Sequence, residues 1–357
     1  MSMVKNALFE LYFQRNPRSG GFALFSAGQR PLDELLDTGG LTLRRVPEGT
    51  AVFPGEPVLT LEGAPEDCVR LAPLLAEKVR AATARATAAV RMKLAAEDSA
   101  VQLPGEHGAL PDNTFIHCFT DEKSAFAYLV AQNRAQCVLP VDSVSVLQSG
   151  IPNAIAAFVD YGGEKGVRIA NGDIAYAAIH ARRQLDAAGL QSVRIFAGGA
   201  LDEFLIRDLK RQGAPIDVFC VDTLPASNEF RVRWAVSEGD GVPKMTRSQN
   251  IDKITPPGRK RLWRVWDEDG KALADLLTLA DETLPIGQPY TLFDPHYPWK
   301  KTTVQSLNAT ELLGASAQNL GVETLWDTVK RFENPHKYYV DYAQRLWDLF
   351  QETMQSA

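Results

Sequence analysis

The 357-residue chain is 45% hydrophobic and 23% charged, which suits a globular protein of two domains, or one barrel with an appendage, and excludes wholesale disorder. Its formal net charge of -6 speaks against a general nucleic-acid or anionic-membrane binder while leaving room for a local basic pocket. Cys68, Cys118, Cys137 and Cys220 form no Cys-x-x-Cys pair, there is no apolar run of about 18 residues, and no basic region followed by an apolar one opens the chain. The expectation is a reduced, cytoplasmic, soluble protein without a zinc site or a disulfide framework.

Along the chain, Leu8 to Gln14 and Phe22 to Ser26 flank Pro17, Gly20 and Gly21, a pattern that predicts a β-hairpin. Pro31 to Thr38 reads as a short helix ended by Gly39-Gly40. Strands are expected at Thr42 to Val46 and Val58 to Leu61, giving a β-rich N-terminal layer. From Pro65 to Asp98 the residues are helix formers, with Leu71, Leu74, Leu75 and Val79 at helical spacing. The Ala- and Thr-dominated part from Arg80 to Arg91 reads as a packing helix whose functional weight is limited to Arg85 and Arg91. Gln102 to Asn113 is expected to be a loop.

The middle of the chain is the most informative part. Three short apolar runs, Gly166 to Ala170, Val193 to Ala197 and Ile216 to Cys220, each lead into a loop of small and acidic residues, and helices separate them. Strands alternating with helices at this spacing imply parallel pairing, with ligands bound at the carboxyl ends of the strands. Small residues there let backbone N–H groups approach a phosphate, and helix N-termini add positive potential. Asp222 conflicts with this, because an unpaired carboxylate in the third loop would repel a phosphate dianion. Beyond the βα region, strands are expected at Leu262 to Trp266 and Tyr290 to Phe293, then a helical portion from Ser316 to Ser356 interrupted at Asn334-Pro335.

Several stretches together resemble the nicotinate phosphoribosyltransferase family. They are Phe9-Glu10-Leu11-Tyr12-Phe13, Val46-Pro47-Glu48-Gly49-Thr50 with Phe53-Pro54-Gly55-Glu56-Pro57, Asp202-Glu203, Gly213-Ala214-Pro215-Ile216-Asp217, the run from Lys253 to Lys260 followed by Arg264, and Asn334-Pro335-His336-Lys337-Tyr338. The resemblance implies an α/β fold, an irregular α/β barrel of the type II phosphoribosyltransferase kind. It implies a β-rich sandwich-like domain from 1–65 and 258–300, a helix and connecting loop over 66–112, an incomplete barrel over 113–257 and a C-terminal helical segment over 301–357. It also implies a head-to-tail homodimer and the joining of nicotinate to phosphoribosyl pyrophosphate. That reaction gives nicotinate mononucleotide in NAD salvage, is coupled to ATP through a phosphorylated histidine, and uses Mg²⁺ with the pyrophosphate.

Carried over residue by residue, the resemblance makes His117 the phosphoryl acceptor, since Asn113 to Phe119 matches the family's Gly-Thr-x-Ala-His stretch. It makes Arg168, Asn171, Gly172, Asp173, Gly198, Gly199, Thr223 and Asp142 substrate-binding candidates. Asp173 is open to two readings, a ribose or metal ligand and a cap of the following helix. The departures are specific: the family's Arg-Leu-Asp-Ser-Gly-Asp-Leu stands here as Arg168 to Ile174 with Ala170 and Asn171 in place of Asp and Ser. Its Gly-Val-Gly-Thr stands as Cys220-Val221-Asp222-Thr223.

Two family segments, an Asp-Leu-Tyr stretch before Phe9 and a Phe-Gly-x-Arg-Arg stretch expected between Arg91 and Asn113, have no counterpart, so the usual nicotinate clamp is absent. A missing βα unit would leave strands with unpaired edges. Lys244, Lys253, Lys260 and Arg264 read as solvated cations, and His107, His180 and His296 as structural. Three functions remain open: an active enzyme, a degenerate homologue serving as a binding or assembly subunit, and a relative acting on another base.

Overall fold

The structure is a computed structural model of the chain that describes residues 3–14, 22–28, 40–106, 113–224, 231–249, 253–294, 297–314 and 340–356. It comprises two compact units, Met1–Thr87 with Ala226–Ala357, and Ala88–Pro225. The helix expected at Pro31 to Thr38, and His107, His296 and His336, lie outside the described residues.

In the first unit, β1 (Ala7–Phe13) is central to an antiparallel sheet, flanked by β11 (Val232–Gly239) and β5 (Pro57–Gly63), with β12 (Val242–Pro243) and β3 (Thr42–Arg45) outermost. The two-residue period of a strand sorts its side chains. Ala7, Phe9, Leu11 and Phe13 enter an apolar core with Leu59 and Leu61, while Glu10 and Tyr12 share the other face. Helix α1 (Pro65–Ala96) contributes Cys68, Leu71, Leu75 and Val79 to that core at three- and four-residue steps. Leu74, expected in the stripe, is instead half-exposed.

The expected hairpin does not form. β2 (Ala23–Leu24) pairs with β4 (Ala51–Val52) rather than with β1. Two buried hydroxyls of α1 explain the placement: Thr87 Oγ1 accepts from Leu24 N at 2.9 Å and Thr83 Oγ1 from Ser26 N at 3.0 Å. Those bonds satisfy backbone donors that a hairpin would otherwise have paired.

A second sheet of this unit has the order β17 (Asn308–Glu311), β13 (Lys260–Trp266), β14 (Ala272–Leu279), β18 (Val340–Tyr342), and β15 (Tyr290–Asp294) pairs with β16 (Tyr297–Val304). Strands β17 and β18 therefore occupy part of the stretch expected to be helical from residue 301. Within it, the described helix is α7 (Gln344–Gln355). Arg264 and Asp275 face each other across β13 and β14. The guanidinium forks onto both carboxylate oxygens at 2.9 and 2.8 Å, fully buried. Lys260 is likewise buried against Glu10 at 2.8 Å. Neither cation is the solvated group expected from sequence.

Glu56 lies beside Asp275, and burial, reinforced by that neighbouring carboxylate, pushes its pKa well above the usual range. A raised native-state pKa gives stability that is complete below the ordinary carboxylate pKa and is lost as pH rises toward the raised one. Glu56→Gln keeps the shape without the titration. Between about pH 5 and 7 the wild type is expected to lose stability relative to this variant, by up to about 1.4 kcal/mol per pH unit. Urea unfolding of both proteins at the two pH values measures this, and parallel curves would count against a raised Glu56 pKa.

The second unit is built on a parallel sheet in the order β6 (Ala100–Gln102), β10 (Val218–Cys220), β9 (Arg194–Ala197), β8 (Glu164–Ile169), β7 (Gln136–Pro140). Helix α5 (Ile174–Ala187) joins β8 to β9, and α6 (Glu203–Arg211) joins β9 to β10. Between β6 and β7 lie α2 (Asn113–Ile116) and α3 (Glu122–Gln132). Between β7 and β8 the chain passes through a π-helical turn at Val146–Gly150 and α4 (Ile151–Phe158).

The apolar faces of these helices and alternate strand residues form one core, which includes Leu139, Phe158, Val167, Ile195 and Phe219, while Val138, Phe196, Val218 and Cys220 form a separate buried cluster. Among the described residues the sheet is open: β7 pairs with β8 alone and β6 with β10 alone, and no closed barrel is formed.

Candidate functional site at the carboxyl ends of the parallel strands

Parallel pairing brings the loops after β7, β8, β9 and β10 to one edge of the sheet, and these loops hold Asp142, Ala170 to Asp173, Gly198-Gly199 and Asp222-Thr223. Asp142 Oδ2 accepts from Ala170 N at 2.8 Å and from Asn171 Nδ2 at 3.0 Å. The carboxylate after β7 thus knits the loop after β8. Asp173 has extended backbone and accepts from Tyr176 N at 3.0 Å, which makes it the N-cap of α5. Gly172, at φ +75°, makes the left-handed turn between them.

Arg168 leaves β8 and reaches across Gly198 to Asp222. Its Nη2 lies 3.3 Å from each oxygen of that carboxylate, whose Oδ2 also accepts from Gly199 N at 3.1 Å. Asp222 is therefore a paired carboxylate, not the unpaired one that the sequence suggested. Asp202 caps α6 through Phe204 N and Leu205 N. Thr223 is exposed, and its hydroxyl has no hydrogen-bond partner among the described residues.

His117 follows α2 and is exposed. Its ring has no hydrogen-bond partner among the described residues, so no carboxylate orients it there. The α2 segment is tied to the same edge by Asn113 Nδ2, which donates to Asp142 O at 3.5 Å. His180 packs its ring against Tyr176, with centroids 4.3 Å apart.

Sequence reasoning missed Glu122. This buried carboxylate accepts from Ser143 Oγ at 2.6 Å and from Asn153 Nδ2 at 2.8 Å, clamping α3 and α4 to the loop that carries Asp142. The signal was its place directly after the capping Asp121 and its apolar surroundings. No group of three or more His, Cys, Asp and Glu side chains among the described residues is placed to hold a metal ion, so the donor set does not fit a magnesium ion held by the protein alone.

Residues 259–320 and 314–350 match the family model described as nicotinate phosphoribosyltransferase C-terminal domain. A nicotinate phosphoribosyltransferase of Bacillus subtilis is 25% identical over 442 aligned residues, which take in 96% of this chain and 89% of that protein. The chain belongs to the nicotinate phosphoribosyltransferase family. Because that alignment is longer than the chain itself, part of it falls on positions absent here. A nicotinate phosphoribosyltransferase of Mycobacterium tuberculosis is 30% identical over 70% of this chain and 63% of that protein.

The crystal structure of human nicotinic acid phosphoribosyltransferase shares the fold with a TM-score of 0.73 at 22% identity, over 99% of this chain and 96% of that one. Nicotinate-nucleotide pyrophosphorylase from Pyrococcus furiosus gives 0.67 at 18% identity, over 99% and 90%. At these identities the likeness is one of fold.

The first unit of this nicotinate phosphoribosyltransferase relative has a cavity of about 550 Å³ lined by Arg233, Lys244, Arg247 and Lys253 beside Trp234, with no acidic side chain among the described residues of its wall. Burial holds the Arg233 pKa below its ordinary value, and its Nη1 is buried without a hydrogen-bond partner. Such a wall suits a multiply charged anion. No helix among the described residues is long and apolar enough to cross a membrane.

Proposed function

We propose that this chain keeps the frame of a nicotinate phosphoribosyltransferase with impaired turnover, and serves as a binding or assembly subunit. The observation that carries this reading is the loop after β8. Position 170 offers a methyl group, and the neighbouring Asp142 is turned onto the 170 backbone N–H and the Asn171 amide. Transfer of a phosphoribosyl group needs acceptors that hold the sugar hydroxyls and metal-bound phosphates while an oxocarbenium-like centre forms. Here Asp142 Oδ2 is given to the Ala170 N–H and the Asn171 side-chain amide, and the methyl group at 170 supplies no acceptor.

In this reading the open parallel sheet is part of an irregular α/β barrel, beside a β-rich sandwich from 1–65 and 258–300. The family's substrates, nicotinate and phosphoribosyl pyrophosphate, define the site, with ATP and Mg²⁺ as its helpers. His117 is the remnant phosphoryl acceptor, and Arg168, Asn171, Gly172, Asp173, Gly198, Gly199 and Thr223 mark the sugar-phosphate end. The protein is a cytoplasmic homodimer. The basic cavity beside Arg233 supports retention of affinity for an anion.

The test is ATP-dependent formation of nicotinate mononucleotide by the native chain and by His117→Ala. No product above the variant's background is expected. Product that this substitution abolishes would establish an active enzyme instead.

A further inference from the structure

Arg168, Gly198, Gly199 and Asp222 form a unit spanning three adjacent strands. The Arg168 side chain is largely buried, 13% exposed, whereas that of Asp222 is 42% exposed. Glycine at 198 is what allows the guanidinium to lie there, since a Cβ at that position would stand 2.6 Å from both its Nε and Nη2. Gly199, at φ +94°, turns its N–H toward the same point, and a Cβ there would stand 2.8 Å from Ala170 O. Leaving Asp222 aside, one guanidinium edge and one backbone N–H converge on a small volume at the ends of parallel strands. That is a seat for an oxyanion.

The fit of Asp222 to this seat is partial. A guanidinium binds an oxyanion best through two parallel bonds from different nitrogens. Here both carboxylate oxygens share Nη2 at 3.3 Å, and the buried Nε has no hydrogen-bond partner. The tether from β10 brings a charge to the seat without filling it.

We propose that Asp222 is a tethered surrogate anion, an autoinhibitory contact that holds the Arg168–Gly199 seat closed against a phosphate monoester. The proposal rests on reading these loops as the sugar-phosphate end of the site. Two effects exclude the free ligand. The tethered group competes at high effective concentration, and its charge repels any phosphate that enters beside it. The contact is itself only a partly exposed ion pair, so it closes the seat without contributing much to folding.

Calorimetry with inorganic phosphate and with ribose 5-phosphate, on the full chain and its variants, tests the proposal. Asp222→Asn preserves size and shape, and Asp222→Gly empties the position. Each is expected to bind both probes at least ~10-fold more tightly than the wild type, and adding Arg168→Met is expected to abolish the gain. Gains for both probes support a seat for a phosphate monoester, and a gain for inorganic phosphate without one for ribose 5-phosphate would overturn it.

Unchanged affinity in variants that keep the native circular dichroism would overturn the proposal, as would a gain that survives Arg168→Met. The readout needs no turnover. A null titration would overturn the closed seat and leave impairment standing, because that reading rests on Ala170 and Asp142, whereas product formation by the wild type would refute impairment and the closed seat together.

Discussion

Lys260→Met is expected to cost about 3–5 kcal/mol of folding stability, the range for breaking a buried ion pair from one side. Lys260 Nζ lies 2.8 Å from Glu10 Oε2 with both side chains fully buried, and it donates to Pro256 O at 2.9 Å and to Gly258 O. The same Glu10 oxygen accepts from Tyr12 and Ser237, while its other oxygen has no hydrogen-bond partner. Removing the ammonium leaves a carboxylate on the second face of β1 without its countercharge, in a place water does not reach. Burial and the Glu10 charge already push the Tyr12 pKa well above its ordinary value, a sign of how unwelcome further negative charge is there.

The double variant Glu10→Leu/Lys260→Met is expected to recover a large part of the loss, because removing both charges also removes their desolvation cost. Urea unfolding of the four proteins closes the cycle. A single-variant loss under about 1 kcal/mol would mean that the pair behaves as if solvated.

Gly150→Ala is expected to cost about 3 kcal/mol, the upper end of the usual range for overpacking. Gly150 closes the π-helical turn and leads into α4. A Cβ there would stand 2.0 Å from the carbonyl oxygen of Val141 and 2.7 Å from its carbonyl carbon. Backbone cannot swing aside as a side chain does, so the strand end itself must move. Val141 precedes Asp142, so the movement also draws that carboxylate from the Ala170 N–H. The loss is read from urea unfolding, and the displacement from the amide shift of Ala170 in NMR spectra. A full-stability variant with an unmoved Ala170 signal would contradict the tight approach.

What the sequence made legible was local. The three βα runs, α1 and the strands around Thr42, Val58, Leu262 and Tyr290 carry their own periodicity and punctuation, and each stands where expected. Strands β11 and β14 escaped because alternation in Arg233-Trp234-Ala235-Val236 and in Leu273-Ala274-Asp275-Leu276 is blurred by cations and by burial on both faces. The hairpin expectation failed because Thr83 and Thr87, far along the chain, offered a better partner for the 24–26 backbone.

The site followed the same rule. Residue types and loop positions were legible, and so was the loss of a carboxylate at Ala170. The Arg168–Asp222 pair joins groups 54 positions apart, and only the order of strands β8, β9 and β10 brings them together. Burial of Lys260 and Arg264 depended likewise on strand pairing, since a cation in a turn-rich stretch looks the same whether it faces water or a carboxylate across a sheet.

The most direct measurement is a crystal structure of the wild-type chain grown with phosphoribosyl pyrophosphate. The expected result is Asp222 still on Arg168 and Gly199, with no phosphate oxygen at either donor. Density for the 5-phosphate on the Gly199 N–H and the Arg168 guanidinium, with Asp222 swung away, would contradict the closed seat.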